Sequence, residues 1–188
     1  MAFNFVAAVR EQMGFGSFDK IDPNNQQGKK ELTQSYSADH FAQAATIAVL
    51  LGLYKYGETE QGSVDLLHQP SGDMLPKIFG KEENELIKTV SNYGNKSFDD
   101  TKLFMTNIAK NSVDILHKQI GDNATIENVR TFFAGQRHNI LVYLPSDLNI
   151  GEQLRDESVE DRTNKMEGPV SNLMHKIEDL FSARENKD

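Results

Sequence analysis

Between residues 41 and 54 the chain reads FAQAATIAVLLGLY, apolar on nearly every side of a helix and interrupted only by Gln43, Thr46 and Gly52. A helix with one apolar stripe can lie on a surface, but a helix that is apolar all round must be covered all round. The stretch therefore requires either a coat of other elements or a bilayer. A membrane span needs about 20 apolar residues. This run has 14, with Asp39 and His40 before it and Lys55 directly after. The expectation is a buried central helix, with the rest of the chain as its coat.

The coat can be read in order. Residues 3–13 place Phe3, Val6, Ala7, Val9 and Met13 at helical spacing, and Gly14-Phe15-Gly16 ends that helix. Residues 17–35 are polar and turn-rich. Ser37 is placed to cap the central helix, and Tyr56-Gly57 to close it through a left-handed glycine. Thr59-Glu60 opens a shorter helix through Val64, Leu66 and Leu67 that stops before Pro70. Asp73 caps a short apolar turn, Met74-Leu75-Pro76-Lys77-Ile78-Phe79, closed by Gly80. Residues 81–93 turn Leu86, Ile87, Val90 and Tyr93 inward, and Gly94-Asn95 breaks the helix.

Ser97 caps the longest helix, over residues 98–120. Its inward side reads Thr101, Phe104, Met105, Ile108, Ser112, Ile115, Leu116 and Ile120. Asp99 and Asp100 stand in its first turn and His117 and Lys118 in its last, as the helix dipole favours. A further helix follows Thr125, with Ile126, Val129, Phe132 and Phe133 inward, and Gly135 ends it. Residues 136–143 add one or two turns before Pro145. A faint echo runs through the pattern: Ser37 and Ser97 each precede a long helix, and Thr59 and Thr125 each open a short one.

No stretch alternates as a strand would. The expected class is all-α: an irregular orthogonal helical bundle around a buried central helix, plus a C-terminal amphipathic helix. Residues 1–150 form the helical domain, and residues 151–168, almost wholly polar, form a linker. Residues 169–188 carry the final helix and its tail. In that last segment Val170, Leu173, Met174, Ile177, Leu180 and Phe181 recur at three and four, the cleanest amphipathic pattern in the chain. These six are the candidate partner-binding residues. The segment has three readings: docking on its own domain, on a second copy or another protein, or on a membrane surface. Lys176 beside Glu178 and Asp179 does not suit an anionic bilayer.

Composition narrows the partners. The net charge of −8, with Lys29-Lys30 as the only basic doublet, opposes nucleic acid or an anionic membrane. Zero cysteines exclude disulfide and thiolate chemistry. The start, MAFNFVAAVREQMGFG, lacks a basic signal-peptide region, so a cytoplasmic location is expected.

No residue set asks for catalysis, a cofactor or a metal. His40, His68, His117, His138 and His175 are far apart and lack ligand spacing. Asp99-Asp100 and Glu82-Glu83-Glu85 read as helix N-termini rather than acid–base pairs. Gly14-Phe15-Gly16-Ser17 follows no strand and has no lysine placed as in a phosphate loop. Residues 97–135 could form a helix-turn-helix, but the second helix offers only Arg130, with Arg137 just after, against Glu127. The chain is therefore expected to be no enzyme but an interaction or assembly module, joining an unknown protein or itself through the final helix. The alternative is small-molecule or lipid binding in a pocket near Tyr54, Tyr56, Phe132, Phe133 and Tyr143.

The run AGQRHNILVYLPSDL at residues 134–148 resembles an element written LLxxQKDNIxxALPxGL. That element belongs to a bacterial family, domain of unknown function 937, related to the YidB-like proteins. Gln136, Asn139, Ile140, Leu144, Pro145 and Leu148 stand at its matching positions, and Glu60-Gln61-Gly62 with Leu66-Leu67 resembles the family's PEGAxxLLxxL piece. The likeness spans residues 38–148. It departs in the polar KEENELIKTV stretch and in having no proline near Lys110. The resemblance implies an all-helical fold, a bacterial source and no assigned activity, and it brings no catalytic residue.

Overall fold

Helix α2 (Ala38–Glu58) carries the apolar run, and every residue from 41 to 54 in it is buried. The computed structural model describes residues 3–20, 38–68 and 72–145. The coat consists of α1 (Phe5–Gln12), α3 (Glu60–Leu67), α4 (Leu75–Phe79), α5 (Glu83–Gly94), α6 (Phe98–Ile120), α7 (Ile126–Ala134) and α8 (Arg137–Leu141), with a 3₁₀ turn at Gly80–Glu82. Each of these seven α-helices packs directly on α2. The described residues contain no strand. The all-α class and the irregular bundle around a buried central helix are therefore seen directly. The Ser37 cap, the 151–168 linker and the amphipathic helix at 169–188 lie outside the described residues.

Local chemistry starts four of the helices where the sequence places them. Ser97 Oγ accepts the Asp100 amide at 3.1 Å, and Thr59 Oγ1 accepts the Gly62 amide at 3.0 Å. Thr125 and Asn128 exchange side-chain and backbone bonds in a capping box. Asp73 Oδ1 accepts the Leu75 amide at 3.0 Å at the start of α4. The echo between the two halves has a packing counterpart: the long helices α2 and α6 lie against each other, and so do the short ones, α3 and α7.

One glycine does different work from that expected. Gly57 does not end α2 in a left-handed turn; the helix continues through it to Glu58. Gly57 is the place where Phe133 rests, and a Cβ there would meet Phe133 Cδ2 at 2.5 Å. The break at Gly94-Asn95 falls where expected: Gly94 is the last residue of α5 and lies against the ring of Phe41, and Asn95, at φ 48°, makes the left-handed ending. Gly52 provides a third such place, where an added Cβ would meet Phe79 Cε1 at 2.5 Å. Three phenylalanine rings are thus seated on helix surfaces stripped of side chain, which brings the coat close to α2.

Alanine normally stabilises a helix relative to glycine, by roughly 0.5–1 kcal/mol. At Gly57 the sign reverses, because the fully buried Phe133 ring has nowhere to go. Gly57→Ala is expected to destabilise the fold by about 1–3 kcal/mol in urea unfolding. Phe133→Leu in the same chain recovers part of the loss, so the two substitutions are less than additive. A simple sum would show that the ring and the glycine are not coupled.

Candidate functional site

The geometry most unlike ordinary core packing lies where residues 3–20 cross the bundle. This strap contains α1, with Phe5 and Val9 fully buried, and it is held at both ends by glutamine side chains from elsewhere in the chain. At one end Gln136 Oε1 accepts the Phe5 amide at 2.9 Å, while Gln136 Nε2 donates to the Phe3 carbonyl at 3.2 Å. Phe5 opens α1, so its N–H is one of the donors that a helix N-terminus leaves unpaired. Asn4 takes another, its Oδ1 accepting the Ala7 amide at 2.9 Å. Asn139 Nδ2 donates to Gln136 Oε1 at 3.1 Å and fixes the amide's orientation.

At the other end stands Gln43, a polar residue within the apolar run. Its Oε1 accepts the Asp19 amide, and its Nε2 donates to the carbonyls of Asp19 and Tyr143, all at 2.8 Å. A buried amide without partners costs about 1–3 kcal/mol. Gln43 and Gln136 are only 4% and 6% exposed, yet each forms three bonds. In both clamps the strap contributes backbone groups only.

Aromatic rings anchor the same two ends. Phe5 meets Phe132 at 5.0 Å and Phe133 at 6.1 Å between centroids, and Phe3 meets Phe132 at 5.7 Å. Beyond α1, Phe15 meets Phe104 at 5.3 Å and Phe18 meets Tyr143 at 6.4 Å. Such pairs add about 0.5–1.5 kcal/mol each beyond their buried area.

The five aromatics proposed to line a pocket do not share one environment. Phe132 and Phe133 touch each other and hold Phe5, whereas Tyr143 lies against Phe18. The Tyr56 hydroxyl donates to Asp65 Oδ2 at 2.6 Å. Asp65 also accepts from Gln61 and Lys77, so one carboxylate ties together α2, α3 and α4. Those bonds, Tyr56's foremost, hold its carboxyl below the usual range. The phenol of Tyr54 is pushed up to about 12, first by burial and then by its hydrogen bond to Glu58 and that group's charge; Arg137 pulls the other way.

The remaining sequence candidates fall into local roles. Lys102 Nζ lies 2.8 Å from Glu83 Oε1, and Ser97 Oγ donates to Asp100 Oδ2 at 2.7 Å. Glu83's hydrogen bond is the main cause that raises Lys102 above the ordinary lysine value. His117 Nε2 donates to the Leu66 carbonyl at 2.7 Å, joining α6 to α3. His40 Nε2 is 3.5 Å from Asp19 Oδ2. Among the described residues no group of three or more His, Asp or Glu is placed to hold a metal ion. The candidate partner-binding residues Val170, Leu173, Met174, Ile177, Leu180 and Phe181, and also His175, lie outside the described residues. The sequence reading missed both clamps. The available signal was Gln43 itself, an amide set inside a helix that must be buried on every side. No family model, curated protein or solved structure matches the chain.

Two outcomes follow from this geometry. Gln136→Leu keeps an apolar body but strands the Phe5 amide and the Phe3 carbonyl. It is expected to cost about 1–3 kcal/mol, and hydrogen exchange should accelerate most at the Phe5 amide. Equal acceleration throughout α6 would mean that the clamp has no local role.

Tyr54 keeps its proton to higher pH in the folded chain than in the unfolded one. Its contribution is complete below pH 10 and is lost as the pH rises towards about 12. Over that window the native chain should lose more stability than Tyr54→Phe. Parallel stability curves for the two would count against the assignment.

Proposed function

We propose that this chain is a non-enzymatic assembly module, whose helical core holds out the amphipathic segment at residues 170–181 for another protein or for a second copy of itself. The observation that carries this reading is the complete coat of α2. Seven helices from residues 5–141 already surround it, and residues 41–54 are buried throughout. The six apolar residues of the segment are therefore not required to cover the central helix. Eighteen polar-rich residues, 151–168, separate the two parts in sequence. Among the described residues no helix is long and apolar enough to cross a membrane. A cytoplasmic setting suits the cysteine-free, acidic composition.

We also propose membership in the bacterial helical family called domain of unknown function 937. What supports it is the work done by the matching residues. Gln136 clamps the strap, Asn139 orients Gln136, and Ile140 and Leu144 are 0% and 1% exposed. A motif with those jobs is a folding motif, in keeping with a family defined by structure rather than by chemistry.

Light scattering after size exclusion tests the assembly reading, on the full chain, on Leu173→Asp/Ile177→Asp, and on a chain ending at Gly168. The full chain is expected to exceed monomer mass and both variants to be monomers. The melting temperature should stay within about 2 °C of the full chain's at matched protein concentration. A fall of about 5 °C or more in the shortened chain would make the segment part of the core instead.

A further inference from the structure

The seat of α1 makes few demands on its occupant. It takes apolar side chains at Phe5, Val6 and Val9, all buried, and at Phe3, Ala8 and Met13, all partly so. It takes a capping asparagine at residue 4, whose Oδ1 accepts the Ala7 amide. Gln136 reads only backbone, the Phe5 amide and the Phe3 carbonyl. Nothing in the Gln136 clamp identifies the side chains it holds.

Most of these demands are met a second time in the sequence. Asn172, Leu173, Met174, Ile177 and Phe181 stand at the spacing of Asn4, Phe5, Val6, Val9 and Met13. The offset is a constant 168, so asparagine falls again on the capping position. The acidic Asp179 falls on the exposed Glu11. Four differences set the terms of competition. Ser171 stands in place of Phe3, His175 and Lys176 replace the partly buried Ala7 and Ala8, Leu180 falls on the exposed Gln12, and nothing replaces Phe15 or Phe18, where the chain has Ala183 and Asn186. A lysine stem can lie along apolar surface with its ammonium in water. The rings of Phe15 and Phe18 hold the far end of the strap, beyond the helical seat.

We propose that the α1 seat is an exchangeable helix-binding groove and that residues 172–181 are its alternative occupant. This rests on the reading of 170–181 as a partner-binding segment and names the surface it binds. The groove recognises an amphipathic helix by apolar register, an asparagine cap and backbone amides.

The test uses the full chain carrying Leu173→Asp/Ile177→Asp, so that its own segment cannot compete. A fluorescein-labelled peptide of residues 169–184 is the probe. Gln12 and Asn111, whose side chains bond at 2.8 Å across α1 and α6, are changed to cysteine in this otherwise cysteine-free chain. A short bismaleimide then pins α1 in place. Fluorescence anisotropy should show saturable binding before cross-linking and affinity at least about tenfold weaker after it. Equal affinity in pinned and unpinned chains would overturn the proposal, as would no binding up to about 1 mM peptide. The assembly reading stands or falls separately. If the aspartate substitutions abolish assembly of the full chain but pinning α1 does not, the segment has a partner and the groove is not it.

Discussion

Everything in this fold answers to one constraint: a 21-residue helix with no side that can face water. Such a helix is about 31 Å long and about 10 Å across. Seven neighbours must share its surface, so most of them are short. A long regular bundle would cover it with three or four partners. Among the described residues only α6 matches it in length, and the rest of the coat is assembled from pieces of 5–12 residues. Alanines at 42, 44, 45 and 48 and glycines at 52 and 57 keep the central helix slim, so that these pieces come close. The bulk omitted from α2 is returned by the coat as phenylalanine: Phe79 against Gly52 and Phe133 against Gly57.

The same constraint explains where the polar bonds lie. A short helix gains little from its own hydrogen-bonded turns and depends on packing and on partners for its loose ends. Thr59, Ser97 and Thr125 meet that need locally. In helix α1 Asn4 takes the Ala7 amide locally, and the Phe5 amide is taken by Gln136, 131 residues away in sequence. Gln43 is the reciprocal case. It sits in the helix that should be wholly apolar, and its three bonds hold the strap's end and the end of α8 against that helix. Leucine there would pack but would hold neither.

What could be read from the sequence divides along this line between local and distant. Helix positions and caps were visible because a capping side chain bonds within three residues of itself, as at Ser97 and Thr125. The buried stripe of α6 was visible because its period is the helix's own. Gly57 misled because a glycine near a helix end is usually a turn. The rings seated on Gly57 and Gly94, Phe133 and Phe41, are distant in sequence, and no local pattern announces them. The clamps were hidden for the same reason. The aromatic group was grouped by residue type, whereas direction decides it: Tyr56 turns to Asp65 and Tyr143 to Phe18.

Recognition of backbone by a buried amide has a consequence for specificity. Where side chains are read, an unrelated segment is rejected by unpaired polar groups. At the Gln136 end of the strap there are none to leave unpaired, so apolar register and a capping residue decide which helix fits. Discrimination then moves to what flanks the register. Ala7 and Ala8 keep α1 narrow where it is partly buried, and Phe15 and Phe18 add rings that a bare amphipathic helix lacks. A segment with the right spacing but without those features would meet the seat as a weaker and therefore reversible occupant, which is the property an assembly contact requires if it is to open again.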